Sequence, residues 1–505
     1  MSDKPTIAVV GAGALGRALV QRAAAAGHGV LLFDIKAAEV EQAVQAVGTD
    51  LRRAADTGEL APAVADAAIA RIRGVPKLDA LAVADFVVEA VAEDLEVKKA
   101  LFATLDSFVR EEVILATTTA ALSVAAIAAA CRRPERVAGL HVLTPLAGAR
   151  LVEIVRAPRT DPGLLPHLTA FADSLGLAAI VVEDVPGFVV DHAVRGFLAE
   201  ALRLYDERVA APAVLDAAAR AALGLRAGPF ELADTIGLDA VWKVQRALYT
   251  QLYHEPRLRP VPSAAARVSA GLNGRKAGQG FYRYVNNQPV LPEREPVSTG
   301  LRRPLWISTA RPAFAKRVVT ALRGSGDLVA GAAPPPGAVV LVTPLGQDAT
   351  TAAVAEKRDP AWTVAVDALF PIERHATLMP TPATHPDAVA AVAASFAACG
   401  RDTAVIDDSP GFVAQRLAFM LVAIAADLAA RAVAEPAAID LAVASALGLP
   451  QGPLALGDRI GPRVVVEGLE RLRVASADPR WRVPPWLARR AQLGLALSSA
   501  PPQVL

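Results

Sequence analysis

Residues 6–16 read Thr-Ile-Ala-Val-Val-Gly-Ala-Gly-Ala-Leu-Gly, and they indicate how the amino-terminal part of the chain folds. The apolar run 6–10 predicts a buried strand, and the Gly-x-Gly-x-x-Gly spacing behind it predicts a tight turn that opens a helix. A second apolar run, 30–34, predicts the next strand and ends on an acidic residue, Asp34. Together these features predict the strand–turn–helix unit that holds a dinucleotide pyrophosphate at a helix N terminus.

The turn and the acidic residue supply the candidate contacts to a cofactor. Glycine in the turn lets backbone N–H groups approach the pyrophosphate, and the Asp34 carboxylate can accept hydrogen bonds from both ribose hydroxyls. Because that carboxylate would repel a 2′-phosphate, the sequence favours NAD over NADP. The cofactor-binding residues predicted from this unit are Gly11, Gly13, Ala14, Leu15, Gly16 and Asp34.

Strand and helix patterns alternate beyond this unit, and the pattern then changes. Apolar runs at 86–89 and 113–116 predict further strands of a parallel sheet. Residues 186–284 read as helical, and residues 285–304, rich in Pro, Asn and Arg, predict a linker. The expected fold class is an α/β Rossmann-like domain followed by an all-α domain.

Several short motifs of the first half of the chain recur in the second half. Asp184-Val-Pro-Gly-Phe-Val recurs as Asp408-Ser-Pro-Gly-Phe-Val, and Gly228-Pro229 recurs as Gly452-Pro453 at the same separation. These matches predict an internal duplication, with strand-like runs but no glycine-rich phosphate loop ahead of the second helical region. The predicted domains are an NAD-binding Rossmann-like domain (1–184), a helical substrate and dimerisation domain (185–290), a degenerate, truncated Rossmann-like segment (303–407) and a second all-α domain (408–505).

Composition excludes several classes of function. Lys plus Arg number 52 against 51 Asp plus Glu, which argues against a nucleic-acid or anionic-membrane partner. Cys131 and Cys399 form neither a disulfide framework nor a metal-ligand spacing, so we expect a reducing cytoplasm and no metal. No signal peptide is predicted at the N terminus. The apolar stretch 418–433 carries Asp427 and Arg431 and predicts a buried core helix rather than a membrane span.

Several longer stretches resemble the 3-hydroxyacyl-CoA dehydrogenase family. They lie within residues 5–284 and include Val87-Val-Glu-Ala-Val-Ala-Glu93, Arg136-Val-Ala-Gly-Leu-His141, Leu151-Val-Glu153-Ile-Val and Gly228-Pro-Phe-Glu-Leu. The full length and the repeated helical domain resemble the long bacterial form of the family, which includes 3-hydroxyadipyl-CoA and 3-hydroxybutyryl-CoA dehydrogenases. The resemblance implies NAD as cofactor, an acyl-CoA substrate and a role in phenylacetate or fatty-acid degradation.

The resemblance also implies roles for particular residues. It makes His141 the general acid/base and Glu153 its partner, and it places Glu93 and Lys98 along the nicotinamide ribose. Thr118 would belong to the same cofactor site. Because family members with one helical domain pair through it, we expect either a homodimer or a pseudo-dimer between the two copies within one chain.

A catalytic pair can also be derived from the residues alone. The apolar runs 137–143 and 151–155 predict an antiparallel hairpin centred on Ala147. His141 then lies directly opposite Glu153, where Cβ atoms are about 4.5–5.5 Å apart. A carboxylate in this position orients the imidazole and makes it more basic, which suits proton exchange near neutral pH. We predict that His141 takes the hydroxyl proton while hydride leaves carbon for the nicotinamide.

Three positions depart from the residues that the family usually carries. Ala120 stands in place of serine, and Thr144 and Asp191 stand in place of asparagine. The usual residues would donate to a substrate oxygen that gains negative charge, and neither alanine nor an ionised aspartate can donate. The enzyme is intact if Thr118, Thr119 or a protonated Asp191 supplies the donor, and on this reading Asp191 joins the predicted catalytic residues. Otherwise it has shifted substrate, or it is a weakly active or non-catalytic member that binds NAD and acyl-CoA.

Two further alternatives belong to other classes. A dehydrogenase of small free 3-hydroxy acids shares the nucleotide fold but uses a lysine on an interdomain helix, and none occurs between Asp191 and Lys243. A purely binding role is the non-enzymatic alternative. In the second half of the chain, Asp367 and Thr377 take the places of the His–Glu pair, so no chemistry is predicted there.

Overall fold

The computed structural model describes residues 4–143, 150–292 and 301–499, and the chain divides into two compact units. Unit 1 comprises Met1–Asp191 and Ala432–Ala438, and unit 2 comprises His192–Arg431 and Ile439–Leu505. The predicted hairpin turn around Ala147, including Thr144, lies outside the described residues.

Unit 1 is built on an eight-stranded sheet. Its strands are β1 (Ile7–Val10), β2 (Val30–Phe33), β3 (Ile72–Gly74), β4 (Phe86–Glu89), β5 (Ile114–Thr117), β6 (Val137–Val142), β7 (Leu151–Arg156) and β8 (Ala178–Glu183). Their order across the sheet is β3-β2-β1-β4-β5-β6-β7-β8, and every neighbouring pair is parallel except β6 and β7. β1, β2, β4 and β5 are fully buried four-residue strands, the pattern of a parallel sheet covered on both faces.

Helices follow most of these strands along the chain and pack on the sheet. They are α1 (Ala14–Ala25), α2 (Ala37–Asp56), α3 (Pro62–Arg71), α4 (Leu95–Phe108), α5 (Val124–Ala128), α6 (Leu164–Ser174) and the start of α7 (Val190–Asp206). Buried side chains of β1, β2 and β4 form one core with those of α1, α2 and α6. The strand order reverses between β1 and β4, and in such sheets ligands bind at the carboxyl ends of the strands beside this switch point.

Unit 2 contains a shorter sheet. After a hairpin of β9 (Arg283–Val285) and β10 (Gln288–Val290) come β11 (Leu305–Ile307), β12 (Val339–Val342), β13 (Thr363–Val366), β14 (His375–Pro380) and β15 (Asp402–Val405). The last five form a sheet in chain order, parallel except at β13–β14, which is the order and the pattern of β4 to β8. In the described part of unit 2, no strands correspond to β1–β3. The edge of β11 is instead paired at Leu305 with Leu328, and the Val329 N–H donates to the Leu305 carbonyl.

The prediction that residues 285–304 form a linker was wrong for residues 288–290, which are part of a hairpin. Residues 288–290 form β10 because Asn286 and Asn287 turn the chain with φ values of 49° and 65°. Asparagine tolerates this left-handed conformation better than most residues, and two such residues make a tight hairpin turn. The strand-like runs 338–342 and 363–366 are confirmed as β12 and β13.

The remaining helices surround the second sheet or form the helical regions. They are α8 (Pro212–Leu223), α9 (Pro229–Ile236), α10 (Leu238–Gln251), α11 (Pro262–Ser269), α12 (Pro312–Leu322), α13 (Ala349–Ala355), α14 (Pro386–Ala398), α15 (Val413–Ala430), α16 (Pro436–Leu447), α17 (Pro453–Ile460), α18 (Pro462–Ser476) and α19 (Pro485–Leu493). Short 3₁₀ helices occur at Leu78–Val83, Pro134–Arg136, Pro256–Leu258, Arg275–Ala277, Pro360–Trp362 and Pro479–Trp481. Among the described helices, α15 alone is long and apolar enough to cross a membrane, and 83% of it is buried inside the protein, as a core helix would be.

Four aspartates support the helical regions in matching pairs. Asp216 accepts hydrogen bonds from the first-turn N–H groups of α9, and Asp440 accepts them from the first turn of α17. Asp234 accepts from two consecutive N–H groups at 281–282, and Asp458 accepts from two at 497–498. Each pair of aspartates therefore satisfies helix or loop donors in the same way in the two regions.

Candidate active site

The glycine-rich turn between β1 and α1 is closed on one side and open on the other. At Gly11 the φ angle is +115°, and an added Cβ would lie 2.4 Å from the carbonyl oxygen of Ala90. At Gly16 an added Cβ would lie 1.9 Å from the carbonyl oxygen of Gly11. In contrast, no atom lies within 4 Å of a Cβ built at Gly13, where α1 begins without a side-chain cap. This open, uncapped helix N terminus fits the pyrophosphate of NAD.

Asp34 follows β2 and is tied to the same turn. Its Oδ2 accepts a hydrogen bond from the N–H of Ala12 at 2.9 Å, and its Oδ1 accepts one from the N–H of Lys36 at 3.1 Å. These bonds fix the carboxylate beside the turn, and each oxygen can accept a further bond from a ribose hydroxyl. In the first turn of α1, Ala14 is exposed and Leu15 is half-buried, so the predicted pyrophosphate contacts lie at an accessible position.

Lys98 lies in a buried cluster of charges at the end of β4. Its Nζ is 2.5 Å from Oε1 of Glu89 and 3.5 Å from Oε2 of Glu93, and the lysine side chain is 1% exposed. Glu89 also accepts hydrogen bonds from the Thr117 hydroxyl and the Val91 N–H, both at 2.7 Å. Glu89 was not predicted from the sequence. The signal for it was the lysine itself, because a lysine on the buried face of a helix needs an acidic partner.

Glu93 in turn organises the loop after β5. Its Oε1 accepts hydrogen bonds from the Thr119 hydroxyl at 2.6 Å and from the N–H groups of Ala120 and Ala121 at 3.0 and 3.2 Å. The Thr119 hydroxyl therefore donates its hydrogen bond to Glu93 and is not a donor to a substrate. Thr118 is buried and held through its N–H, which donates to the carbonyl of Glu89.

The predicted histidine–carboxylate pair is present. β6 and β7 pair with His141 opposite Glu153, as the hairpin register predicted, and Nδ1 of the histidine is 2.5 Å from Oε2 of the glutamate. The other oxygen of Glu153 accepts hydrogen bonds from the N–H groups of Val189 and Val190 at the start of α7. These bonds hold the carboxylate in place beside the ring, and its Oε2 accepts the proton that His141 carries on Nδ1.

Asp191, in the first turn of α7, lies at the other nitrogen of the same ring. Its Oδ2 is 3.7 Å from Nε2 of His141. Burial lowers the pKa of His141, but the hydrogen bond and charge of Glu153 and the charges of Asp191 and Glu93 outweigh it and raise the pKa above its usual value. The structure therefore brings His141, Glu153 and Asp191 together within unit 1.

The corresponding place in the second sheet has a different composition. The N–H of Asp367 donates to the carbonyl of Thr377, which continues the pairing of β13 with β14. The Asp367 carboxylate accepts a hydrogen bond from the Gln415 side chain at 2.9 Å, and burial raises its pKa to about 6. Asp367 and Thr377 therefore do not reproduce the histidine–carboxylate pair of the first sheet.

A cavity of about 810 Å³ opens elsewhere in unit 1. It is lined by Ile7, Phe86 and Ile114, the first residues of β1, β4 and β5. The cavity therefore lies at the amino ends of the parallel strands. The charged cluster and the histidine lie at or near the carboxyl ends, where ligands of such sheets bind, so the cavity is not the candidate site.

These features define a class of protein. A Rossmann-like sheet with an uncapped glycine turn, an acidic residue after β2 and a buried histidine–carboxylate pair is the arrangement of an NAD-dependent dehydrogenase acting on a hydroxyl group.

Comparison with known proteins agrees with this class and identifies the family within it. Residues 6–185 match the profile of the 3-hydroxyacyl-CoA dehydrogenase NAD-binding domain, and residues 187–284 and 411–499 match the profile of the C-terminal domain of that family. The chain is 31% identical over 494 residues to a 3-hydroxyadipyl-CoA dehydrogenase of Escherichia coli K12, covering 98% of each sequence. It is 34% identical over 278 residues to a probable 3-hydroxybutyryl-CoA dehydrogenase of Bacillus subtilis, covering 55% of this chain and 96% of that one.

A solved structure of similar length was also found. The crystal structure of a 3-hydroxybutyryl-CoA dehydrogenase from Escherichia coli K12 matches with a TM-score of 0.85 and 30% identity, covering 97% of this chain and 98% of that one. The chain belongs to the 3-hydroxyacyl-CoA dehydrogenase family, and it is an NAD-dependent oxidoreductase.

Proposed function

We propose that the protein oxidises a 3-hydroxyacyl-CoA to the 3-oxoacyl-CoA, with His141 as the general base and Glu153 as the residue that orients it. The observation that carries this proposal is the buried 2.5 Å contact between His141 Nδ1 and Glu153 Oε2. The names of the relatives that match over the full chain support the acyl-CoA substrate class.

The proposed mechanism separates the proton from the hydride. Bound NAD supplies the hydride acceptor. Because the Nδ1 proton of His141 is directed to Glu153, Nε2 has the lone pair that takes the proton from the 3-hydroxyl group. The Glu153 carboxylate then stabilises the imidazolium, and its bonds to the start of α7 keep it in place during the transfer.

A second candidate function is a weakly active or non-catalytic member that binds NAD and acyl-CoA. It is favoured by the lack of a side-chain donor at Ala120 and by the commitment of the Thr119 hydroxyl to Glu93. The loss of one donor to a developing oxyanion typically costs about 10²–10³ in rate. Because the Thr119 hydroxyl donates to Glu93, Thr118 is the remaining threonine of this loop that could serve as the donor.

The two candidates are separated by assaying NADH formation from 3-hydroxybutyryl-CoA and 3-hydroxyadipyl-CoA. The same assay is repeated with the double variant Ala120→Ser plus Asp191→Asn. Ordinary turnover by the wild type supports the dehydrogenase, whereas a silent wild type with an active double variant supports the non-catalytic member. Comparison of the two substrates tests whether the protein takes dicarboxylic acyl chains, as the phenylacetate pathway requires. We propose that pathway, or fatty-acid degradation, and a cytoplasmic location for the protein.

We further propose that the chain arose by internal duplication and that its two helical regions form a pseudo-dimer. Residues 255–259 read Glu-Pro-Arg-Leu-Arg and residues 478–482 read Asp-Pro-Arg-Trp-Arg. Arg259 pairs with Asp478 at 2.7 Å, and Arg482 pairs with Glu255 at 2.7 Å. This exchange of equivalent partners is the signature of a two-fold interface. The repeated order of β4–β8 in β11–β15 supports the same origin.

A buried ion cluster joins the two helical regions within unit 2. Glu200 on α7 is 0% exposed and lies 2.6 Å from Arg416 on α15, 3.0 Å from Arg480 and 3.4 Å from Arg203. A chain ending at residue 292 would keep Glu200 and Arg203 but lose Arg416 and Arg480. We therefore expect this truncation to aggregate or to self-associate on a sizing column. A soluble, monomeric and fully active truncation would contradict the pseudo-dimer.

A further inference from the structure

The imidazole of His141 lies between two carboxylates, and the mechanism above uses only one of them. Oε2 of Glu153 is 2.5 Å from Nδ1, and Oδ2 of Asp191 is 3.7 Å from Nε2. Both carboxyl groups are buried, with side chains 0% and 9% exposed. A separation of 3.7 Å is too long for a hydrogen bond, but opposite charges at this distance interact strongly in a buried site. Asp191 therefore acts on the ring through its charge.

The fold decides which ring nitrogen exchanges its proton. Oε1 of Glu153 accepts hydrogen bonds from the start of α7, which holds Oε2 at 2.5 Å from Nδ1, so Nδ1 donates its proton to this carboxylate. Nε2 is then the nitrogen that takes or gives a proton, and it is the nitrogen that faces Asp191. The carboxyl group of Asp191 lies in the first turn of α7.

Resting on the proposed function, we propose that Asp191 is a positioning residue that keeps a proton on Nε2 of His141, so that at neutral pH the site is set to reduce a 3-oxoacyl-CoA. In this direction the imidazolium gives its Nε2 proton to the 3-oxo oxygen, and the hydride that C3 gains would be supplied by bound NADH. The products are a 3-hydroxyl group, NAD and a neutral imidazole. Oxidation starts from the neutral imidazole, so it becomes fast only at higher pH. The overall equilibrium is unchanged, and Asp191 sets the pH at which each direction is fast.

The charges around the ring support this role. Glu153 acts from β7, Asp191 from α7 and Glu93 from the segment between β4 and α4, and together they raise the pKa of His141 against the effect of burial. Lys98, the cation that contacts Glu93, is held by Glu89 and Glu93. Of the three carboxylates, Asp191 is the one beside the nitrogen that exchanges its proton with substrate.

The variant Asp191→Asn tests the proposal because asparagine keeps the shape of the side chain and removes its charge. Rates of NADH oxidation with acetoacetyl-CoA and of NAD reduction with 3-hydroxybutyryl-CoA are measured across pH. We expect the apparent pKa in both profiles to fall by about one to three units in the variant, the range for removal of one close opposite charge. Asp191→Glu, which keeps the charge, should retain most of the wild-type shift. Asp173→Asn on the exposed face of α6 is the matched control and should leave the profiles unchanged.

A second measurement does not depend on turnover. Side-chain nitrogen resonances of His141, assigned with a His141→Gln variant, are followed by NMR across pH in the unliganded protein, and NADH fluorescence checks that each variant is folded. Equal titration of His141 in the wild type and in Asp191→Asn would overturn the proposal. If no protein turns over acyl-CoA while the titration shifts as expected, the proposed function fails and the role of Asp191 stands.

Discussion

The substitution Glu153→Gln tests the centre of the site, because the amide fills the same space without the charge. The glutamine oxygen can still accept the N–H groups of Val189 and Val190, so the start of α7 keeps both hydrogen bonds. The amide nitrogen then faces Nδ1 of His141 and donates to it. The histidine must move its proton to Nε2, and this tautomer cannot accept the hydroxyl proton of the substrate.

The expected loss follows from this exchange of tautomers. Correctly placed general-base catalysis contributes about 10²–10⁴ in rate, so kcat should fall by that factor, or by about 2.7–5.4 kcal/mol of transition-state stabilisation. Binding of NADH should stay within about twofold, because Glu153 is not among the residues at the glycine turn. Stability should change little, since the glutamine keeps the two hydrogen bonds to the start of α7 and replaces the one to His141 by a bond of opposite direction.

The assay is NADH formation from 3-hydroxybutyryl-CoA under saturating conditions, with NADH binding followed by fluorescence. Glu183→Gln serves as the matched control, since it neutralises a partly exposed carboxylate that pairs with Arg156 at the end of β7. A Glu153→Gln protein that binds NADH normally and retains more than about one-tenth of kcat would refute the assigned roles of the pair.

Three further predictions concern the cofactor site and the ion cluster. Asp34→Ala removes a charged acceptor and should lower kcat/KM for NAD at least about tenfold while that for NADP changes less; an equal loss for both cofactors would contradict the ribose contact. Gly16→Ala forces a Cβ to 1.9 Å from a carbonyl oxygen and should weaken NADH binding at least about tenfold by fluorescence titration; unchanged affinity would show that the turn does not hold the cofactor. Burial raises the pKa of Glu200, but its three arginine partners outweigh burial and hold the pKa below its usual value. The stability that the ionised Glu200 provides is therefore present above the unfolded-state pKa of about 4.3 and is lost as pH falls through the folded-state pKa. Glu200→Gln should therefore cost about 3–5 kcal/mol in urea unfolding at pH 7 and flatten the acid-side decline, and a cost below about 1 kcal/mol would argue against the cluster.

The catalytic pair could be predicted from the sequence because the register of a hairpin follows from the number of residues on each side of its turn. His141 and Glu153 lie at equal distances from the turn centre, and facing positions on paired strands share one side of the sheet. The glycine turn could be predicted for a similar reason, since its geometry is local. The family resemblance made Asp191 a predicted catalytic residue, but its position beside Nε2 of His141 could not be derived by counting, because it depends on where α7 begins relative to β6 and β7. Glu89 was missed because its pairing with Lys98 depends on how α4 packs beside the end of β4.

The pairing of Leu328 and Val329 with β11 covers one edge of the second sheet. An exposed strand edge recruits strands from other molecules and leads to aggregation. In unit 1 the corresponding edge, that of β4, is paired with β1, the strand that leads into the glycine turn. In unit 2 the short stretch at Leu328 and Val329 pairs with this edge of β11, so the edge is not left free to recruit strands from neighbouring molecules.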